Sequence, residues 1–314
     1  MEPGPDDGSF AGGTIPGADA PAFTLRLARG TPIPVLIAAP HAGRAYPDSL
    51  TSAMRDPAYA ALRLEDRLVD GLAEAIARAT GAALLVAHAP RAMLDLNRSA
   101  DDVDWSMVAG GDGRASATAR NSLANRRARA GLGIVPRRLP GLGEIWKRPI
   151  EKAELDARIA GIHAPYHAAL AGALEHLRDR WGSVLLIDLH SMPPLRARPA
   201  GQPAPEFVIG DRFGASCNSA LVSAAFGYFQ AHRRAAAHNR PYAGGYVLDR
   251  HGAPARRTHA IQLEVCRASY LDAALAETSG RAAGVARLLA GLVRVLATEV
   301  AAIGGGGRMA LAAE

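Results

Sequence analysis

Cysteine is almost absent from this chain of 314 residues: Cys217 and Cys266 are the only two, and they stand far apart. Two thiols build no disulfide framework, so the fold does not depend on covalent staples and a reducing compartment, the cytoplasm, is the expected location. Long apolar runs are missing as well. No stretch approaches the roughly 18 consecutive apolar residues of a spanning helix. The first residues carry Glu2, Asp6 and Asp7 and lack the basic and apolar segments of a secretion signal, so neither a membrane nor export is expected. Aromatics make up only 5% of the chain and do not interleave with its arginines, which argues against nucleic acid as a partner. Lysine is scarce too. Lys147 and Lys152 are the only lysines behind a net charge of +6, and the arginines are spread along the chain, a coding preference rather than a binding patch.

What is present suits a sizeable core, with 49% of residues hydrophobic and 21% charged. Residues 1–22, rich in Gly, Pro, Ala and Asp, read as a flexible lead and 304–314 as a flexible tail. Between them, 23–303 read as one α/β domain. Apolar strands are expected at 33–39, 82–87, 183–190, 207–211 and 259–265. Helices are expected over Leu64–Thr80, closed by Gly81, then over Ala153–Trp181 with an interruption near Pro165, Ser216–Arg233 and Gly280–Ile303. Strands alternating with helices predict layers built on a mixed or mainly parallel sheet, whose ligands lie beyond the carboxyl ends of the strands. Residues 100–140 have little periodicity and read as a long loop or insertion. No internal repeat is evident, and nothing in the chain fixes an oligomeric state.

Two apolar runs end on histidine. Ser183-Val-Leu-Leu-Ile-Asp-Leu-His190 precedes a proline-bearing turn, and Pro34-Val-Leu-Ile-Ala-Ala-Pro-His41 leads into Ala42-Gly43. Imidazoles held by rigid strands suit metal ligation or base catalysis, although either histidine alone would ordinarily be structural. A third ligand could come from Glu65 or Asp66, which read as the first residues of the helix over Leu64–Thr80; there, carboxylates also simply favour the positive end of the helix dipole. Two histidines and one carboxylate leave an open position on zinc. Glu264 interrupts an apolar strand, and a charge there needs a partner, a metal or a chemical task unless the strand edges onto water. Asp188, two residues before His190 on the same strand face, would orient an imidazole or pair with an arginine.

Taken together, Pro40-His41-Ala-Gly43, Glu65-Asp66-Arg-Leu-Val-Asp70, Asp95-Leu-Asn97-Arg98, Gly131-Leu-Gly-Ile-Val-Pro136, Asp188-Leu-His190-Ser-Met-Pro193, Ile209-Gly-Asp211, Asn239-Arg-Pro-Tyr242-Ala-Gly244-Gly245 and Gln262-Leu-Glu264 occur in order. Their sequence and spacing resemble the N-formylglutamate amidohydrolase family across 33–272. That resemblance implies a three-layer α/β/α fold of the phosphorylase/hydrolase type, laid out like zinc carboxypeptidases. It also implies metal-dependent hydrolysis of N-formyl-L-glutamate to formate and glutamate in histidine degradation. Carried over by position, His41, Asp66 and His190 would bind Zn2+ or another divalent ion, with Glu65 the alternative ligand, and Glu264 would be the catalytic carboxylate. Asn97 and Arg98 would contact substrate, with Arg137 a second cationic candidate that could equally be a solvated loop charge. Asn239, Tyr242 and Gly244 would shape the pocket. Ala42, where a serine is common, and the Arg-rich 114–138 stretch depart from the pattern and bear on substrate identity. Another N-acyl amino acid or small amide would suit the same chemistry. A non-catalytic protein binding an acidic partner through 114–138 is the reading from a different class, and the presence of all four candidate metal and catalytic residues argues against it.

Overall fold

A computed structural model describes residues 8–28, 30–110, 128, 130–196 and 203–305. The strands are β1 (Gly8–Gly12), β2 (Phe23–Leu27), β3 (Val35–Ala39), β4 (Ala83–Ala87), β5 (Arg138–Leu139), β6 (Gly143–Glu144), β7 (Val184–Met192), β8 (Phe207–Gly210), β9 (Ala236–His238) and β10 (Thr258–Cys266). Eight of them form one mixed sheet in the order β1-β2-β4-β3-β7-β10-β8-β9, while β5 and β6 pair as a separate hairpin. The run β4-β3-β7-β10 is parallel, so the carboxyl ends of β3, β7 and β10 open on the same side.

Alternation along these central strands separates two cores. Leu36, Ala38, Leu85, Val184, Leu186 and Ala260 bury on one face, whereas Val35, Ile37, Leu84, Leu185, Ile187 and Leu263 bury on the other. The first face is covered by α1 (Asp48–Ala53), α2 (Pro57–Leu64), α4 (Lys152–Arg158) and α5 (Ala164–Trp181), the last contributing Tyr166, Leu170 and Leu174. The second is covered by α3 (Val69–Thr80), α6 (Ser219–Ala231) and α8 (Ala282–Gly304), through Leu72, Phe229 and Leu296 among others. A mixed sheet between two helical layers is the expected α/β/α architecture. A further short helix, α7 (Tyr246–His251), precedes β10. No helix among the described residues is long and apolar enough to cross a membrane.

Three sequence expectations are corrected. The apolar spacing over Leu64–Thr80 predicts one helix, but α2 ends at Leu64 and α3 begins at Val69, with Leu68 in the left-handed region at φ 56°. Glu65 and Asp66 therefore occupy the link between helices and not a first helical turn. The break is sustained from far along the chain: the Arg267 guanidinium donates to the carbonyls of Leu62 (3.1 Å) and Glu65, satisfying groups that a continuous helix would have used itself.

The second correction concerns the lead at 1–22, of which residues 1–7 lie outside the described residues. Residues 8–12 form β1, antiparallel to β2, and Ile15 is buried in the first core. Pro165 explains part of this order. Lacking an N–H, it cannot bond back into the preceding turn, which relaxes into a π-type segment at Ile159–His163. The Gly161 carbonyl so released accepts the Thr14 N–H at 2.8 Å. The expected interruption of the 153–181 helix is thus also the anchor of the N-terminal segment. Third, the strand ending on His190 continues to Met192, so His190 lies inside β7 and not at its end. Of the loop at 100–140, residues 111–127 and 129 lie outside the described residues, as does most of the basic 114–138 stretch.

Candidate metal centre and catalytic cleft

His41 follows β3, His190 stands in β7 and Asp66 sits in the break between α2 and α3, where its N–H donates to the His41 carbonyl at 2.9 Å. One ligand atom from each of these three buried residues lies within 4.8 Å of the others. The atoms that converge are identified by what holds the opposite sides of the rings. His41 Nε2 donates to Asp95 Oδ1 at 2.7 Å, and His190 Nε2 donates to Asp188 Oδ2 at 2.9 Å. Each Nδ1 is therefore turned toward Asp66 Oδ2, at 3.6 Å from His41 and 2.9 Å from His190. The other carboxylate oxygen of Asp66 accepts from Ser191 Oγ at 3.3 Å and faces Arg267 at 3.6 Å.

His41 Nδ1 is buried without a hydrogen-bond partner. A buried ring nitrogen left open, facing a second imidazole and a carboxylate oxygen, has the chemistry of a divalent-metal site, and carboxylates behind both imidazoles fix the tautomers that ligation needs. Burial pushes the Asp66 carboxyl up, but the hydrogen bond from His190 and the adjacent His41 ring outweigh it and hold it well below the usual range. Burial lowers His190, yet Asp188 and Asp66 more than reverse that and raise it. Glu65 is not in this group; its carboxylate is held by Arg67 at 3.2 Å.

Glu264 in β10 is the Cα partner of His190 in the parallel register, and Gln262 is the partner of Asp188, so all four side chains share one face of the sheet. Glu264 is 6% exposed, and Gln262 Nε2 donates to it at 2.8 Å. Burial pushes its carboxyl up to about 7, with Asp66 adding to the rise and His190 opposing it. A carboxylate poised near neutrality beside a group that could hold a metal suits general base work.

His41, Asp66, His190, Gln262 and Glu264 line a cavity of about 510 Å³. Arg63, Arg91, Arg98, Arg212 and Arg267 line it as well, so the cleft presents five guanidinium groups. Some are committed to the frame: Arg267 donates to Ser191 Oγ at 3.1 Å as well as to the helix break, and Arg212 is paired with Asp249 at 2.6 and 3.0 Å. Arg98 donates through Nε to the Leu132 carbonyl at 2.8 Å and through Nη1 to the Asn97 carbonyl at 2.9 Å. Tyr242 and Gly244 also line the cleft.

Other expected substrate contacts fall elsewhere or are occupied. Arg137 lines a separate cavity and is paired with Asp104 (2.9 Å) and Glu144 (2.8 Å); its partners come from tertiary folding, which is why a loop arginine looked available. Asn239, in the left-handed region at φ 57°, spends its side chain on Asp211, donating to the carboxylate at 2.7 Å and accepting its N–H at 3.0 Å; it is not among the lining residues. Asn97 does reach the cleft, but its Oδ1 accepts the Val247 N–H at 3.0 Å and so caps α7. Gly245 makes that approach possible, because a Cβ there would stand 2.5 Å from Asn97 Oδ1. Asp95, Arg91, Arg63 and Arg267 received no role from the sequence. The legible signals were slight: Asp95 sits between Leu94 and Leu96, and Arg91 precedes it by the four residues of a local ion pair, observed at 2.9 Å. Gly43 belongs to the same frame. The strand-end loop that carries His41 crosses the segment at Ala89-Pro90 there, so closely that a Cβ on Gly43 would meet the Ala89 carbonyl oxygen at 2.0 Å.

The model of the N-formylglutamate amidohydrolase family matches residues 33–271, most of the chain and every residue of this site. The chain belongs to that family. Among curated proteins, N-formylglutamate deformylase from Pseudomonas aeruginosa is 28% identical over 261 residues, covering 79% of this chain and 85% of the relative. The enzyme of the same name from Pseudomonas putida is 30% identical over 242 residues, with 76% and 82% covered. The crystal structure of N-formylglutamate amidohydrolase from Ralstonia eutropha superposes with a TM-score of 0.77 at 31% identity, over 89% of this chain and 98% of that one. The family's fold and the arrangement of layers described above are therefore the same.

Proposed function

We propose that this protein hydrolyses N-formyl-L-glutamate to formate and L-glutamate, with a divalent cation, zinc by preference, held by His41, Asp66 and His190. The observation that carries this reading is the convergence of two carboxylate-backed Nδ1 atoms on Asp66, next to Glu264, in an arginine-lined cleft of a member of this family. Zinc in such a site would supply Lewis acidity, lowering the pKa of water toward about 7 and polarising the scissile carbonyl. Glu264 accepts the proton of the attacking water and returns it to the departing amine nitrogen, so that the C–N bond breaks as the new C–O bond of formate is completed.

A substrate with two carboxylates asks for cationic receptors. Arg98 is held on two backbone carbonyls through Nε and Nη1 and lines the cleft, and we assign it to a substrate carboxylate, with Arg63 available to the other. We assign the reaction to histidine degradation on the family resemblance. The cytoplasm is the proposed location, which suits two free, buried cysteines.

The deciding experiment follows formate release from N-formyl-L-glutamate by protein as isolated, after chelation and after zinc is restored. Release that vanishes with chelation and returns with zinc is expected. Release indifferent to chelation would remove the metal from the reaction, and silence in the zinc-loaded protein would remove this substrate, leaving other N-acyl amino acids to be tried.

A further inference from the structure

Behind the cleft wall, on the side away from the metal group, three buried histidines meet the segment that carries Asp95 and Arg98. His163 Nε2 lies 2.9 Å from the Arg98 carbonyl and His167 Nε2 lies 3.1 Å from the Leu96 carbonyl. A carbonyl oxygen only accepts, so both Nε2 atoms carry the proton. A neutral imidazole has one N–H, which leaves His167 Nδ1 as an acceptor. Its partner at 3.0 Å, His251 Nε2, must then be the donor. The ring centroids stand 5.3 Å apart with the planes inclined by 18°, a separation that accommodates an N–H···N bond directed along the line between the two rings. One proton arrangement satisfies all three contacts, and burial keeps these imidazoles neutral by lowering His163, His167 (to about 2) and His251 (to about 4).

The segment they hold is engaged at every carbonyl from 96 to 98. Leu96 accepts from His167, Asn97 accepts from the Arg98 guanidinium and Arg98 accepts from His163. At the front of the same segment, Asp95 holds His41 and caps the Asn97 N–H at 2.8 Å. His163 and His167 reach it together because they are four residues apart, at the junction where the π-type segment passes into α5.

We propose that His163, His167 and His251 form a relay of fixed tautomers that positions the 95–98 segment, and with it the Arg98 guanidinium, for substrate. They touch neither substrate nor metal and act only as positioning residues. The consequence for turnover rests on the hydrolase reading above; the tautomers themselves do not.

Two measurements test the relay. Long-range proton–nitrogen spectra of the 15N-labelled protein at neutral pH are expected to show all three rings neutral with the proton on Nε2; a proton on His167 Nδ1, or a charged ring, overturns the relay whatever the enzyme does. In parallel, His163→Leu should raise KM for N-formyl-L-glutamate roughly fivefold, the loss expected of one backbone hydrogen bond. In that variant kcat should stay within about twofold and zinc content should be unchanged, and His163→Gln, whose amide can donate from the Nε2 position, should recover most of the KM. A KM untouched in a folded His163→Leu, or equal defects in the Leu and Gln variants, would refute the positioning role. If His163→Leu fails to fold, His163→Asn replaces it, since its shorter amide does not reach the Arg98 carbonyl; a KM equal to that of His163→Gln then overturns the proposal. Absence of formate release by the wild type would strike the hydrolase reading alone, because the spectra still judge the relay.

Discussion

Glu264 and His190 face each other across neighbouring parallel strands as Cα register partners of β10 and β7. The proposed base and a proposed ligand are therefore spaced by the hydrogen-bond ladder of a buried sheet, not by a loop, and the precision that catalysis demands comes from the most rigid part of the fold. Asp188 and Gln262, two residues back in the same register and on the same sheet face, orient them in turn.

Glu264→Gln removes the proton acceptor while keeping shape and burial. Formate release should fall by about 10³-fold or more, with zinc content measured by atomic absorption unchanged. Loss of zinc in this variant would make Glu264 a ligand and refute its assignment as the base.

The pH profile should carry the same residue. Glu264 must be ionised to take a proton, and burial pushes its carboxyl up to about 7. Activity is then present above that value and lost as pH falls through it. A bound cation favours the ionised form and moves the midpoint downward. The acid limb of kcat/KM is expected at or below about pH 7, and it should disappear in Glu264→Gln; a limb that survives the substitution belongs to another group.

Asp95→Asn tests the carboxylate behind His41. The amide keeps the size but loses the charge that fixes the imidazole, so zinc affinity should drop by about 10- to 100-fold, seen as a shift in a competition titration with a chromophoric chelator. Asp66→Asn removes a ligand and should leave no stoichiometric zinc at all.

Arg98 and Arg137 separate substrate binding from support. Arg98→Met should raise KM more than about tenfold, the scale of a charge-assisted bond, with zinc bound normally. Arg137→Met breaks the ties to Asp104 and Glu144 outside the cleft and should leave KM within about twofold while lowering the melting temperature. The reverse pattern would return Arg137 to the substrate.

The sequence made His41, His190 and Glu264 visible for a physical reason: imidazole and carboxylate are out of place in apolar strands, and strand periodicity says which of them share a face. What it hid depends on partners distant along the chain. The helix break at Glu65–Leu68 is invisible because apolar spacing continues through it, and the group that sustains it, Arg267, lies about two hundred residues on. Asp95 was passed over because its meaning is His41, 54 residues earlier. Asn239 and Arg137 look like free polar groups until folding supplies Asp211, Asp104 and Glu144. The N-terminal segment has a loop's composition, and its order comes from pairing with β2 and from the carbonyl that Pro165 leaves vacant at Gly161.

The crossing at Gly43 joins two loops, one carrying His41 and the other leading to Asp95, into a single unit. With a hydrogen atom as the only spacer, His41 and the carboxylate behind it cannot drift independently. A methyl group at that point would leave every functional side chain in the molecule and still open a gap between them. The smallest residue in the site thus sets its tolerance, and the length of the hydrogen bond from His41 to Asp95 is fixed by what is missing from the chain at position 43.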